Sequence, residues 1–367
     1  MTKIGIALSG GGIRAAVFHI GILKYLADNK KLENVVHLSS VSGGSLLLGL
    51  IFSINDGKWP NDQEFLEKVY PQLEYYLTKR SIFNPFLLFR FFIFNPFTFI
   101  VLIIFNRRKL LSKLISQNWR INKNFSDLNT NVMWDICATS RETGNMWRIK
   151  SDCMGDYQLG YTDRNNLSLS DVISISAAFP LAIGPFKLKT AYYKWYKYNS
   201  QTEISPKLKK ITIYDGGIYD NMALESLYDI SCGEIKGRTN CDFIFVSDAS
   251  SPLKIETGFF TLYRLIDIFM KNINKLRKRN LLNCFIKNKN GIYLEYGASI
   301  NHIISQANND PKYNISEELK NLYYDDKKIE SIKYYKTNLL KISSKNFSAI
   351  VDYAYNLCHT LITLIKC

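Results

Sequence analysis

The sequence predicts an α/β fold built on a central sheet that is parallel at its start. Three observations carry this. A short apolar run, KIGIAL at 3–8, ends in Ser9-Gly10-Gly11-Gly12. A helical segment from Arg14 to about Ala27 follows, with Val17, Ile20, Leu23 and Leu26 spaced to share one face. A second apolar run, VVHLSSV at 35–41, again ends in a glycine turn, Ser42-Gly43-Gly44, before an apolar helix from Ser45. Strand, helix, strand and helix joined by tight turns lay strands side by side in one direction and cover them with helices.

Further along, strands are expected at 133–139 (MWDICAT), 145–150, 210–214 (KITIY) and 242–247 (DFIFVS), and helices at about 167–177, 223–230, 259–283 and 346–365. No repeat of fixed period and no Pro/Gly/Ser linker divides the chain. It reads as a catalytic unit over 1–250 with an apolar insertion near 82–105, and a mostly helical extension over 251–367 packed on the same domain.

Composition bounds the rest. Of 367 residues, 47% are hydrophobic and 22% charged, which excludes disordered, collagen-like and coiled-coil chains. The 47 Lys and Arg against 32 Asp and Glu give a net charge of +15, an excess that favours an anionic partner. No nucleic-acid-binding signature accompanies it, so an acidic membrane surface is the better fit and nucleic acid is not expected. The seven cysteines show no CxxC or Cys/His metal spacing; reduced thiols and a site without metal are expected. The N-terminus reads as a strand rather than a signal peptide. Cys367 does not make a prenylation box, which needs Cys fourth from the end.

Residues 82–105 stand apart. Two Asn-Pro pairs, at 84–85 and 95–96, and Arg90 interrupt a Phe-rich run flanked by Lys79-Arg80 and Arg107-Arg108-Lys109. The clean stretch Phe97 to Phe105 is short for a spanning helix. An interfacial anchor or substrate lid, a buried core hairpin and a true span remain open.

The glycine turns carry the chemistry. Gly10-Gly11-Gly12-Ile13-Arg14-Ala15 fits G-x-G-x-x-A, but a dinucleotide site would want an acidic residue ending the second strand. That strand ends in Ser39-Ser40-Val41-Ser42, and Glu33 lies at its wrong end. A P-loop fails for want of Gly-Lys-Ser/Thr. The alternative is an oxyanion hole: bare glycine N–H groups at a helix N-terminus, aimed at a developing negative oxygen. Ser40-Val41-Ser42-Gly43-Gly44 then supplies the nucleophile turn, a variant of G-x-S-x-G with Ser40 in the first glycine place. Ser39, Ser40 and Ser45 are rival nucleophiles; Ser42 is preferred where strand gives way to helix. For the base, His19 and His37 fall within a helix and a strand and read as structural. His302 and His359 lack a glycine turn. Asp215, ending KITIY and followed by Gly216-Gly217, serves as a base if desolvated and bonded directly to the serine. An ordinary Asp-Gly-Gly turn is its plain alternative.

Taken together these segments resemble the patatin-like phospholipase family, particularly the branch shared with cytosolic phospholipase A. The glycine loop is similar to its SGGGxRA loop, Ser40 to Gly44 to its GxSxG elbow, and Asp215-Gly216-Gly217 to its DGG/DGA aspartate. Two weaker blocks also match: Ala138-Thr139-Ser140-Arg141-Glu142-Thr143-Gly144 and Ser176-Ala177-Ala178-Phe179-Pro180.

The resemblance covers roughly 3–250. It implies a patatin-like three-layer sandwich with a central, mostly parallel sheet, and an acyl hydrolase that uses a Ser42–Asp215 dyad without cofactor. Gly10, Gly11 and Gly12 would form the oxyanion hole, with N–H groups of Gly11 and Gly12 as donors. Arg14 would meet the lipid phosphate or form a structural salt bridge. The implied substrate is a phospholipid or other lipid ester, and the implied location cytoplasmic and peripheral to membranes, with delivery into a host cell open. Three rivals stand beside this: a Ser-His-Asp esterase using His302, a non-catalytic lipid-binding protein of the same fold, and a dinucleotide-dependent enzyme. In the C-terminal part, Phe259, Leu262, Ile266, Phe269 and Ile273 with Lys271, Lys275, Arg277, Lys278 and Arg279 make a helix that suits either anionic lipid or plain solvent.

Overall fold

Five parallel strands form the centre of a mixed sheet, in the order β14 (Gly291–Glu295), β13 (Phe243–Asp248), β1 (Ile4–Leu8), β2 (Val35–Ser40) and β3 (Met133–Ser140). The computed structural model describes residues 2–83, 106–129, 131–180, 182–252, 261–309 and 324–366, together with Ile93 and Leu319. The apolar insertion expected near 82–105 therefore lies outside the described residues, apart from Ile82, Phe83 and Ile93. Beyond β3 the sheet continues antiparallel through β4 (Met146–Ile149), β5 (Met154–Asp156), β6 (Gly160–Thr162), β8 (Trp195–Tyr196) and β9 (Glu203–Ile204). On β3, β10 (Lys210–Asp215) also pairs antiparallel and carries β7 (Phe186–Lys189) on its outer edge.

Strand residues alternate between two buried faces, as a parallel sheet covered on both sides requires. Ile4, Ile6 and Leu8 of β1, Phe245 of β13 and Ile292 and Leu294 of β14 join one core. That core is filled from above by α1 (Gly12–Asp28), α2 (Gly43–Ile54) and α9 (Ser344–Lys366), with α1 packed directly on both α2 and α9. Ala7, Ile244, Val246 and Tyr293 face the opposite way. There they meet Leu281 and Phe285 of the long helix α6 (Thr261–Asn288) and the segment around Leu224, Leu227 and Tyr228. Helices, sheet, helix: this is the three-layer architecture. Among the described residues the other helices of eight residues or more are α3 (Tyr70–Lys79), α4 (Arg107–Trp119), α5 (Leu169–Ser176), α7 (Ile300–Asn308) and α8 (Asp326–Lys333).

One expected element is corrected. The helix expected at about 223–230 is absent: these residues turn and enter a hairpin of β11 (Tyr228–Asp229) and β12 (Glu234–Ile235). Ala223 has φ 55°, outside the right-handed helical region. The Asp220 carboxylate takes the N–H groups of Met222 and Glu225 at 3.1 and 2.8 Å, which closes a local turn in competition with a helix. Leu224, Leu227 and Tyr228 are buried against the sheet without helical backbone.

Candidate active site

The two ends that meet at the site are those of β2 and β10. β2 runs along β3 as far as Ser40 opposite Ile136. β10 arrives in the reverse direction and places Asp215 opposite Ala138. Because β4 occupies the other edge of β3 from Ile136 to Thr139, β10 continues on the edge that β2 leaves. Ser42, two residues past Ser40, therefore turns over at the level of Asp215; the two line the same cleft, and the Ser42 side chain is near enough to lower the Asp215 pKa.

Ser42 has φ 48° and ψ −108° at the head of α2, a strained conformation of the kind held only where the surroundings fix it. They do so here. The Ser42 N–H donates to Ser176 Oγ at 3.0 Å, and the Ser176 hydroxyl donates to the Cys137 carbonyl at 2.7 Å. A Cβ on Gly44 would lie 2.5 Å from the Leu8 carbonyl oxygen, so the turn needs glycine there. Ser40 fills the place where an elbow commonly has glycine, and its hydroxyl accepts from the Trp134 indole at 2.8 Å and bonds Ser45 Oγ at 2.9 Å. Ser39, Ser40 and Ser45 are all buried, which leaves Ser42 as the serine of this turn on the cleft.

Asp215 is buried. Its Oδ1 accepts the Gly217 N–H at 2.7 Å. Burial raises its pKa to about 7, against the lowering effect of the Gly217 N–H and of the nearby Ser42 side chain. The backbone at Asp215 is pinned by the two weaker sequence blocks: its N–H donates to Ala178 O at 3.1 Å, and Thr139 Oγ1 donates to its carbonyl at 2.8 Å.

The glycine loop lines the same cleft as Asp215. Gly11 and Gly12 have φ 139° and 62°, and their N–H groups have no hydrogen-bond acceptor among the described residues. Gly10 differs from expectation: its N–H already donates to Asn221 O at 3.0 Å, so it is not free as an oxyanion donor. Arg14 is also committed. Its Nε donates to Ala249 O at 3.1 Å, one Nη to Tyr335 O at 2.7 Å, and the guanidinium lies 5.4 Å from the Tyr296 ring centroid. Among the described residues Arg14 forms no ion pair, and two of its three guanidinium nitrogens are held by backbone carbonyls.

Gly11, Gly12, Ser42 and Asp215 line one cleft of about 460 Å³, with Arg14 at its edge. Phe83, Phe179, Ile183, Met270 and Leu339 give it apolar walls. Two contributors carried no signal in the sequence. Asn221 engages Gly10 through its carbonyl, and Asn338 takes the Ile13 N–H through its carbonyl at 2.9 Å. The histidines lie elsewhere. His302 is exposed on α7, and His359 sits beside the Tyr25 ring at 6.0 Å. His19 is buried, bonded to Ser247 Oγ at 2.5 Å and Ser9 O at 3.0 Å, with its pKa lowered by burial to about 4. His37 lies 3.6 Å from the Asp135 carboxylate. Both match their structural reading. Among the described residues no group of three or more His, Cys, Asp or Glu is placed to hold a metal, and no helix is long and apolar enough to cross a membrane.

The sequence and the fold have known counterparts. The sequence profile described as patatin-like phospholipase matches residues 6–228. The chain belongs to the patatin-like phospholipase family. A mimivirus protein of Acanthamoeba polyphaga, uncharacterized protein L620, is 26% identical over 243 residues, covering 60% of this chain and 62% of its own. Human GIVD cytosolic phospholipase A2 shares the fold with a TM-score of 0.55 at 12% identity, over 100% of this chain and 63% of its own. The same human enzyme in complex with methyl gamma-linolenyl fluorophosphonate aligns at a TM-score of 0.51 and 12% identity, over 100% and 59%. The chain thus spans just under two-thirds of the length of these relatives. At such identity the structural likeness establishes the mixed central sheet with its flanking helices, and nothing finer.

Proposed function

We propose that the protein is a lipid acyl hydrolase of phospholipase A or lysophospholipase type, with Ser42 as nucleophile and Asp215 as its base. The observation that carries this is that Ser42, the glycine loop and a buried Asp215 carboxyl, its pKa raised by burial to about 7, line one cleft. A carboxylate ordinarily too weak to take a serine proton is lifted by burial into the range where general bases work. Asp215 accepts the proton as Ser42 attacks the ester carbonyl. The N–H groups of Gly11 and Gly12, at the N-terminus of α1, receive the tetrahedral oxyanion. Asp215 returns the proton to the leaving alcohol, and then activates a water that cleaves the acyl-serine. The apolar cleft walls suit a fatty-acyl chain, and the net charge of +15 suits an anionic membrane surface as the place of work. Arg14, with two nitrogens on backbone carbonyls, is assigned to holding the loop rather than to a lipid phosphate.

The test is covalent labelling with a long-chain fluorophosphonate, mapped by mass spectrometry, with fatty-acid release from phospholipid vesicles measured in parallel. An adduct on Ser42, absent in Ser42→Ala, together with release, is expected. Folded wild-type protein that takes no label and releases no acid would assign the fold to lipid binding instead.

A further inference from the structure

Helix α6 has two faces with different surroundings. Inward, Met270, Lys271 and Asn274 line the cleft. One turn on, Arg277 pairs with buried Asp220 at 3.2 Å and lies 5.1 Å from the Tyr219 ring centroid, in the turn that follows Asp215. Lys271 is paired with Asp267 at 3.2 Å and Lys278 with Glu295. Outward, Leu265, Phe269, Ile273 and Leu276 are 43%, 63%, 39% and 61% exposed. Their spacing of four, four and three residues puts them in one stripe. Lys275 and Arg279 are exposed and flank the stripe on one edge, and no acidic residue occurs from Ile268 to Leu294. Leu340, 52% exposed, continues the apolar surface at the cleft rim.

We infer that this outer face of α6 docks on an anionic lipid bilayer and seats the cleft mouth against it. Three features select this occupant. The stripe belongs to the helix whose other side lines the cleft, so a bilayer touching one delivers lipid to the other. Its basic residues lack acidic neighbours along the helix, which favours a negative surface over a mixed protein one. Four side chains fall short of the roughly 800 Å² per partner of a stable protein interface, whereas apolar side chains enter a headgroup layer one by one. The inference rests on the lipid-ester reading for its purpose, but it is tested without turnover.

The experiment measures co-sedimentation of Ser42→Ala protein with vesicles of phosphatidylcholine alone and of phosphatidylcholine mixed with phosphatidylserine. Binding to the mixed vesicles is expected. The double substitution Phe269→Ser with Leu276→Ser should weaken it by about tenfold or more. Lys275→Gln with Arg279→Gln should weaken binding to the mixed vesicles by roughly tenfold and leave phosphatidylcholine binding unchanged. Placed in the protein that retains Ser42, both pairs should leave hydrolysis of a short soluble ester intact. Undiminished vesicle binding by Phe269→Ser with Leu276→Ser would overturn the inference. So would a dimer of the free protein that the same pair disperses, which would give the face to a second copy. Vesicle binding that follows these expectations in protein unable to hydrolyse any ester would sink the hydrolase reading and keep the docking face.

Discussion

Ser42 and Asp215 meet along one edge of a single strand. Ser40 is paired with Ile136, Asp215 with Ala138, and β4 holds the far edge of β3. The separation of the two side chains is set by sheet register rather than by loops, and a site built on strands holds its geometry more tightly than one built on loops. Removal of either partner should therefore act on chemistry and not on fold. Ser42→Ala and Asp215→Asn are each expected to lower kcat for a soluble ester by about a thousandfold or more, with thermal melting retained. His302→Asn, on exposed α7 away from the cleft, is expected to leave kcat within about twofold. A loss of several orders in the His302 variant would instead indicate a triad.

The pKa of Asp215 sets the pH profile. The carboxyl must be ionised to take the Ser42 proton, and burial raises its pKa to about 7. kcat/KM for a soluble ester should therefore rise about tenfold per pH unit below pH 7 and level off above it. A profile flat between pH 5 and 7 would show that Asp215 is not the group being titrated.

The same shift makes a stability prediction of opposite sign. Folded Asp215 holds its proton to about pH 7, while an unfolded aspartate releases it near pH 4. Between these values the folded state binds more protons, so the Asp215 contribution to stability falls as pH rises through that window and is flat above it. The full effect is on the order of 3–4 kcal/mol, and less where the site relaxes on ionising. Asn keeps an acceptor for the Gly217 N–H without the buried charge. Asp215→Asn should thus match wild type near pH 4 and exceed it in urea denaturation at pH 8. A difference independent of pH would contradict the raised pKa.

That Ser42 and Asp215 come together on one cleft was legible in the sequence because each ends an apolar run with a glycine turn after it, a pattern that suits close strand-end packing. Asn221 and Asn338 were not. They act through backbone carbonyls, on the Gly10 and Ile13 N–H groups, and every residue type has one. The central strands β1, β2, β3, β10 and β13 stood out as apolar runs. β5, β6, β8 and β9, two or three residues each, are too short to show a period of two. β14, Gly291–Glu295, is a brief apolar run next to a long helix, which periodicity alone does not separate from the helix. The misread 223–230 is the converse case: real burial without the backbone that usually accompanies it. Phe269 and Ile273 of the outer stripe of α6 were legible as part of an apolar face, but Leu265 and Leu276, and which basic residues pair with Asp220, Asp267 and Glu295, are facts of packing.

Ser176 should behave as a positioning residue. Its hydroxyl accepts the Ser42 N–H and donates to the Cys137 carbonyl, so Ser176→Ala leaves a buried carbonyl and the elbow N–H both short of a partner. The expected cost is about 1–3 kcal/mol of stability. It should come with a kcat reduced roughly tenfold, KM little changed and the pH midpoint still near 7, since Asp215 keeps its burial. A lowered stability with kcat untouched would make Ser176 a core residue only.

Gly12 is the sharpest test of the oxyanion loop. Its φ is 62°, and an added Cβ would stand 2.3 Å from the Asn338 carbonyl oxygen. That oxygen is held by the Ile13 N–H, so neither side yields without moving the first turn of α1. Gly12→Ala should lower kcat/KM by about a hundredfold or more, the range seen when an oxyanion donor is lost. Fluorophosphonate labelling of Ser42 should slow in proportion, because the phosphoryl oxygen uses the same donors. Gly184 is the control: it has φ 83° with no atom within 4 Å of an added Cβ. Gly184→Ala pays only for backbone conformation, about 1 kcal/mol, and should leave both rates near wild type. Equal losses in the two variants would mean that backbone strain, and not the placement of the Gly11 and Gly12 donors, accounts for the effect.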